Sequence, residues 1–481
     1  MSGMTAVSVV SVNGLAEQTG FMSKQNDRSF VTRGKILVVG MGKTGLSCVR
    51  FLLAQGLDVV VCDNRDRPPA LAEIQQLLPS EAIQTGPFDA GAFSACRQLV
   101  LSPGVSLQEE TVQTAVKQGV EVIGDIELFA RHVKAPVIAI TGSNGKSTVT
   151  ALVVAMLDHI GCDVRVGGNI GTPALDLLSA PVADAYVLEL SSFQLETTRS
   201  LNATASVILN ISPDHMDRYN DEKAYRDAKQ RIWNGNGIIV VNGDEPGLLT
   251  GLDPDRRRVA FTLGEPATGE YGLRTKDGQT WLVQGDVYLL PVSALRLVGR
   301  HNIANALAAL ALAESLAAIL PTMDLLAVRP SLLRALSDFS GLPHRMEWLA
   351  SVDGVDWYND SKGTNVGATL AALQGLDRPV VLIAGGLSKG ADFAPLAEVM
   401  AVKGRAAVLI GRDAAVIEAV MQGVVPCLHA SSMEEAVALA AAQAISGDIV
   451  LLSPACASFD MFEGYEHRGR VFADAVRGIL T

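Results

Sequence analysis

The sequence predicts an α/β protein made of three consecutive units. Two observations carry this. Short apolar, strand-like runs alternate with helical segments along most of the chain, the pattern of mainly parallel sheets. Many of those runs end in glycine- or serine-bearing loops, where open α/β sheets bind ligands. At 481 residues the chain is also too long for one core to be the natural expectation.

The first unit opens on a buried strand over Lys35 to Val39. It leads into the turn Gly40-Met41-Gly42-Lys43-Thr44-Gly45 and a helix from Leu46 to Gln55. A second strand, Asp58 to Cys62, ends at Asp63, 23 residues past Gly40. Taken alone, the glycine turn and this acidic position suggest a nicotinamide-binding domain. Glycine-rich first turns serve several phosphate ligands, however. A further strand, Gln98 to Leu101, ends in Ser102-Pro103-Gly104.

The second unit starts near Ala135. The apolar run Val137 to Ile140 precedes Thr141-Gly142-Ser143-Asn144-Gly145-Lys146-Ser147-Thr148, and an apolar, helix-like segment, Val149 to Leu157, follows. A glycine turn between strand and helix directs backbone N–H groups at a phosphate, and the helix terminus adds partial positive charge. Lys146 is placed to reach the outer phosphates of ATP, and the Ser147 hydroxyl to ligate Mg2+. The spacing is unusual, because only two residues separate Gly142 from Gly145. The bland alternative is a structural strand-to-helix turn. Beyond it come Gly167-Gly168-Asn169-Ile170-Gly171, strands over Ala185 to Leu190 and Ser206 to Asn210, a strand-rich stretch 236–300, and a helix from Asn302.

The third unit begins around Phe339. Strands Val380 to Ala384, Ala406 to Ile410 and Asp448 to Leu452 end in Gly385-Gly386, Gly411-Arg412 and Ser453-Pro454. Three such units in a row predict an enzyme that gathers several ligands in the clefts between domains.

Composition narrows the function classes. Charged residues are 19% and hydrophobic ones 48%, so each unit can bury a core, and the net charge of −12 argues against a broad nucleic-acid surface. Cys48, Cys62, Cys96, Cys162, Cys427 and Cys456 form no CxxC pair and read as free thiols in a reducing compartment. No span reads as a transmembrane helix. The apolar stretch Ala6 to Val12 lacks a basic start and is short for a secretion signal. Residues 1–33 are expected to form a disordered extension, with Met22 a candidate start.

Several polar groups stand out. Glu189 interrupts the apolar strand around Leu188, which is costly unless the carboxylate is paired or bound to a cation. His215, in Asp214-His215-Met216-Asp217, is an unusual neighbour for Mg2+, which prefers oxygen; Asp214 as a helix cap and His215 as a surface residue are the plain alternatives. Spacing does not single out Lys229, because helical lysines are usually solvated. The loop Asp360 to Asn365 unites an acid, a lysine and a threonine. Arg345, in Leu342-Pro343-His344-Arg345, is placed to bridge to phosphates across a cleft or to form an ordinary linker ion pair.

Together these motifs resemble the bacterial Mur ligase family. The shortened phosphate loop has the family's form. The segments Leu188 to Glu196, Asp214 to Tyr219, Leu342 to Arg345, Asn359 to Asn365 and Leu452 to Ser458 match in order, and the last two favour the members that add D-glutamate. The resemblance runs from about Lys35 to the C-terminus. It implies a Rossmann-like N-terminal domain holding a UDP-linked substrate (34–130), a central P-loop ATPase domain (131–338), and a Rossmann-like C-terminal amino-acid domain (339–481).

The implied reaction joins D-glutamate to UDP-N-acetylmuramoyl-L-alanine with ATP through an acyl phosphate, in a monomeric, cytoplasmic enzyme of peptidoglycan synthesis. Thr44, Asp63, Asn64, Arg65 and Gly104 take the uridine diphosphate end. Asn169 and His215 approach the sugar-peptide end. Gly142, Ser143, Asn144, Gly145, Lys146, Ser147 and Thr148 form the ATP loop, joined by Asn302, Arg345 and Asp360. Ser147 and Glu189 bind one Mg2+. Lys229, carried as N6-carboxylysine, supports a second with His215. Lys362, Thr364, Lys389, Ser458, Phe459 and Tyr465 surround D-glutamate. Two departures from the family pattern occur: Leu387-Ser388 stands where some members have an acidic residue and a glycine, and Tyr465 occupies a position that phenylalanine also fills. A ligase adding a different amino acid and a nicotinamide-dependent oxidoreductase remain the alternatives.

Overall fold

Aliphatic runs without polar alternation form strands covered on both faces. In the computed structural model, β1 (Ile36–Val39), β2 (Val59–Asp63) and six-residue Val380–Gly385 are buried at every position. The structure describes residues 30–179, 181–216, 218–321 and 323–479. The expected extension up to residue 29, with Ala6–Val12 and Met22, and Asp217 of the His215 motif lie outside the described residues. Thr32, placed by sequence in that extension, is buried and donates to Ala92 O at 2.7 Å. Packing onto the first unit therefore begins ahead of residue 34.

The first sheet adds β3 (Ile83–Thr85), β4 (Gln98–Leu101) and β5 (Glu121–Gly124) in the parallel order β3-β2-β1-β4-β5. Strand order reverses at β1, so the loops after β1, β2 and β4 border one crevice. The helix after β1 runs Lys43–Ala54 and so begins three residues before the expected Leu46. Gly42 caps it in extended conformation, which lets the turn residues themselves enter the helix.

The second sheet comprises β6 (Val137–Thr141), β7 (Val164–Gly168), β8 (Ala185–Glu189), β9 (Ala205–Ile208), β10 (Ile238–Asn242), β11 (Arg258–Phe261), β12 (Tyr271–Lys276), β13 (Gln279–Gln284) and β14 (Val287–Pro291). Its order is β14-β13-β12-β11-β10-β9-β6-β8-β7. The stretch 236–300 supplies the antiparallel end, where β12 and β13 meet across Asp277-Gly278, both at positive φ. Helix Arg300–Ala317, apolar nearly all round, is buried from Asn305 to Ala317 against one face.

The third sheet comprises β15 (Glu347–Val352), β16 (Val355–Asn359), β17 (Val380–Gly385), β18 (Gly404–Ile410), β19 (Cys427–His429) and β20 (Ile449–Leu452), ordered β15-β16-β20-β17-β18-β19. Sequence reading missed β15 and β19. β15 is antiparallel, bulged and only half-buried, and β19 has three residues, so neither carries a long apolar run. The adjacency of β16, β20 and β17 brings together the loops after residues 359, 452 and 385. Five cysteines are buried and Cys427 is half-buried, all as free thiols.

One buried acid ties the first two units. Glu127, on helix Asp125–His132, accepts from Arg199 N (2.7 Å), Ser200 N (2.9 Å) and Ser200 Oγ (2.8 Å), and pairs with Arg131. Burial pushes its pKa up, but the Ser200 and Arg199 hydrogen bonds outweigh burial and hold it below the ordinary value. Glu127→Gln should lower stability by about 1.5–3 kcal/mol at neutral pH. Because the native pKa is depressed, wild type should keep its full advantage above about pH 4.3 and lose it as pH falls through the native value. Denaturant midpoints of both proteins at several pH values check this; equal midpoints at pH 7 contradict it.

Candidate active site

The loop between β6 and helix Lys146–His159 turns at Gly145, whose φ is +82°. A Cβ there would lie 2.5 Å from Asn305 Oδ1, so the position needs glycine for conformation and for space. Lys146 Nζ folds back to Gly142 O (2.8 Å) and Ser143 O (2.9 Å). Asn144 N donates to Asn210 Oδ1 at 2.8 Å, fixing the loop to the end of β9.

Beneath this loop lies Lys229. The helix Glu222–Gln230 buries Tyr225, Ala228 and Lys229 on one face. Lys229 is only 1% exposed, contrary to the ordinary expectation for a helical lysine. Its Nζ donates to Gly142 O (2.9 Å) and Thr141 Oγ1 (3.3 Å) and lies 4.7 Å from the Tyr225 ring centre. Burial, reinforced by nearby Lys146, pushes its pKa well below the ordinary lysine value.

A chain of hydrogen bonds joins side chains from the second and third units. Asn169 Nδ2 donates to Glu189 Oε1 (2.8 Å), Ser147 Oγ to Glu189 Oε2 (2.6 Å), and Arg345 Nη2 to Ser147 Oγ (2.6 Å). Arg345 therefore reaches the phosphate loop and is no linker ion pair. Burial pulls its pKa down, as it does that of Lys146. Lys362 lies 4.0 Å from the Tyr465 ring centre, and burial, with Arg345 and Lys146 adding repulsion, brings its pKa to about 8. Asp360 accepts from Ser453 Oγ (2.7 Å), yet burial raises its carboxyl to about 7.

Among the described residues, no group of three His, Cys, Asp or Glu side chains gathers to hold a metal. Ser147 Oγ and Glu189 Oε2 nevertheless place two hard oxygen donors side by side, which suits Mg2+. Lys229 as an amine offers no oxygen, so it fits a metal site only in a carboxylated form. His215 stands 3.7 Å from Asp214 and edge-on to Phe193. Asp214 Oδ1 accepts from His215 N, and the next helix is capped by Asp221, so Asp214 caps no helix.

Three cavities surround this chain. The first, about 650 Å³, is lined by Thr44, Asp63, Asn64, Arg65, Gly104 and Asn169. Both oxygens of Asp63 are engaged there: Met41 N donates to Oδ2 at 2.7 Å, and Arg65 binds both oxygens. They are thus occupied rather than poised for the ribose of a dinucleotide. The second cavity, about 430 Å³, is lined by Asn144, Gly145, Thr148, Asn302, Arg345 and Asp360. The third, about 400 Å³, is lined by His215, Thr364 and Lys389. Ser458 is buried and Phe459 is 71% exposed; neither lines this third cavity. Lys362, expected with them beside D-glutamate, lines the second cavity instead, and Tyr465 touches it there.

Sequence reading missed several contributors. Asn365 caps helix Val366–Gly375, exchanges hydrogen bonds with Asn144 across the cleft (3.2 and 3.3 Å), and donates to Asp214. Arg468, fully buried, donates to Ser361 Oγ, Ser361 O and Cys456 O, binding the loops after β16 and β20 together. An arginine on a terminal helix gives no sequence signal of this. His215, His344, Met346, Lys389 and Ala455 all have positive φ, a concentration of unfavourable backbone around a site.

Models of three consecutive domains match the chain: the MurD-like N-terminal domain of Mur ligases over residues 34–124, the Mur ligase middle domain over 140–313, and the glutamate ligase domain of Mur ligases over 344–456. The chain belongs to the Mur ligase family.

Among its relatives is the UDP-N-acetylmuramoylalanine--D-glutamate ligase of Nitrosococcus oceani. It is 54% identical over 92% of this chain and 97% of its own length. The enzyme of the same name from Methylococcus capsulatus is 49% identical over 93% of this chain and 95% of its own length. Solved Mur ligase structures share the fold at lower identity. The UDP-N-acetylmuramate-alanine ligase of Thermotoga maritima is 18% identical, with a TM-score of 0.56 over 92% of this chain and 99% of its own. The MurF ligase of the same organism, in complex with ADP, is 17% identical, with a TM-score of 0.57 over 93% of this chain and 96% of its own.

Proposed function

We propose that this Mur ligase joins D-glutamate to UDP-N-acetylmuramoyl-L-alanine at the expense of ATP, releasing ADP and phosphate. The chain Asn169–Glu189–Ser147–Arg345 carries this reading, because it joins the walls of the first and second cavities. The names of the relatives supply the substrates. Cytoplasmic action accords with substrates that are soluble nucleotides. Among the described residues no helix is long and apolar enough to cross a membrane.

In this assignment the nucleotide diphosphate lies in the first cavity, against Thr44, Asn64, Arg65 and Gly104. Its alanyl carboxylate passes Asn169 toward Glu189. ATP occupies the second cavity, with Asn302 and Asp360 in its walls and Lys146 and Arg345 at its outer phosphates. A carboxylate is a poor electrophile, so it must first be activated. Its oxygen attacks the γ-phosphorus, the bond to the β-phosphate oxygen breaks, and ADP departs. Lys146 and Arg345 offset the charge on the transferring group. Ser147 and Glu189 would hold Mg2+, which would add charge neutralisation there. The amine of D-glutamate then attacks the acyl carbon, loses a proton, and phosphate leaves. Thr364 and Lys389 stand around the incoming dicarboxylate, and Lys362 lies between it and the ATP phosphates. The third unit, docked on the phosphate loop through Asn365 and Arg345, excludes water from the acyl phosphate.

Lys229 is assigned the carboxylated role. Carbon dioxide reacts only with a neutral amine, releasing one proton as the carbamate forms. A lysine whose burial favours the neutral form is suited to this. The carbamate would place oxygens under the loop, which with His215 would hold a second Mg2+.

With UDP-N-acetylmuramoyl-L-alanine, D-glutamate, ATP and Mg2+, the protein should release one phosphate per amide formed, as read by mass spectrometry and phosphate assay. Amide formation with another amino acid in preference to D-glutamate contradicts the assignment. Lys229→Ala should cut turnover roughly 10- to 100-fold, with partial recovery on adding a short carboxylic acid. A carbon-13 spectrum of active enzyme in labelled bicarbonate that lacks a carbamate signal refutes this role.

A further inference from the structure

The loop Gly411-Arg412-Asp413 follows β18 and has no part in the reaction derived above, yet it backs the loop that carries Lys389. A Cβ on Gly386 would lie 2.2 Å from Ala457 O, and one on Gly411 would lie 2.8 Å from Gly386 Cα. The three backbone segments are therefore in direct contact. Leu387 and Ala457 exchange two backbone hydrogen bonds, at 2.9 and 3.0 Å. Asp413 N donates to Gly386 O at 3.1 Å. Its carboxylate Oδ2 accepts from both Ser388 N and Ser388 Oγ, each at 2.8 Å. Arg412 Nε holds the other oxygen at 3.2 Å, while Arg412 N donates to Asp460. These bonds, Ser388 N first, keep the Asp413 carboxyl at about 2, so it stays ionised throughout the working range of the enzyme.

The residue after Ser388 is Lys389, whose φ is +52°. A lysine rarely adopts that conformation unless its surroundings impose it. Both groups of Ser388 are fixed one residue upstream, and Ala391 N donates to Ser388 O at 3.1 Å on the other side. Ser388 and Lys389 both line the third cavity, whereas Asp413 stands outside it.

We propose that Asp413, acting through Ser388, is a positioning residue that holds the backbone of Lys389 in its left-handed conformation and so sets the affinity for the amino-acid dicarboxylate. The inference rests on the reading of Lys389 as a partner of D-glutamate. Ser388 belongs to the Leu387-Ser388 departure from the family pattern. Its hydroxyl contributes the second hydrogen bond to Asp413, which a glycine there would lack.

The test uses the full chain and four variants: Lys389→Ala, Asp413→Ala, Asp413→Asn and Ser388→Ala. D-glutamate is titrated at saturating ATP and nucleotide substrate, ATP is titrated separately, and each Tm is recorded. Asp413→Ala should raise the KM for D-glutamate roughly 3- to 10-fold and leave the KM for ATP unchanged. Ser388→Ala keeps the backbone bond and should raise it less. Asp413→Asn keeps an acceptor oxygen and should restore most of the affinity. If Asp413→Ala is too unstable to assay, Ser388→Ala decides. An unchanged KM for D-glutamate in the folded variants, or equal rises for ATP and D-glutamate, overturns the positioning role while Lys389→Ala still raises the KM for D-glutamate. If Lys389→Ala leaves that KM unchanged, the reading of Lys389 fails and the inference falls with it.

Discussion

Everything in this protein is arranged around positive groups recessed where the second and third units meet. Lys146, Lys229, Arg345 and Lys362 come from four separate stretches of chain. Their near partners are neutral: Gly142 O and Ser143 O, Thr141 Oγ1, Ser147 Oγ and the Tyr465 ring. Removing a cation from water costs several kcal/mol unless something negative repays it. The cost appears as depressed basicity at all four. Glu189, Asp214, Asp360 and Glu466 act on them from nearby, yet burial still leaves all four less basic than in water. The arrangement is complete only with a polyanion in the cleft, and a transferring phosphoryl group is such an anion.

The scaffold explains why these groups stay in place. β6 lies between β9 and β8, so the phosphate loop leaves the sheet beside the ends of both neighbours. Glu189 ends β8, and Asn210 follows β9. In the third unit, β16, β20 and β17 are neighbours, and Arg468 clamps the loops of the first two from below. Asn365 and Asn144 then match amide to amide across the cleft. Each loop is held by at least one partner distant in sequence, which is how side chains on loops reach the accuracy that chemistry requires.

Much of this was legible in the sequence. The three α/β units, the phosphate loop and the glycine turn of β1 follow from local patterns that folding leaves intact. Thr44, Asp63, Asn64, Arg65, Gly104 and Asn169 line one cavity because they sit at strand ends, whereas His215, grouped with Asn169 in the sequence reading, lines another. Three kinds of information were not local. Lys229 looks like a solvated helical lysine until the helix docks its Tyr225 face. Asp413, Asn365 and Arg468 act through contacts spanning 25 to 221 residues, for which no periodicity exists. β15 and β19 are half-buried edge strands, too weakly patterned to be seen. The Asp-Gly pairs at 277–278 and 353–354, both at positive φ, were readable signals of two tight hairpins.

The balance of charge in the cleft can be measured directly. If ATP supplies the missing negative charge, its binding must raise the basicity of the recessed lysines and draw protons from solution. Lys362, at about 8, sits at the centre of the accessible range. Calorimetry of MgATP binding at pH 8, repeated in buffers of different ionisation enthalpy, counts those protons. The account predicts a net uptake that shrinks toward pH 6, where Lys362 is already charged. Binding with no proton uptake at pH 8, or with net release, would contradict it.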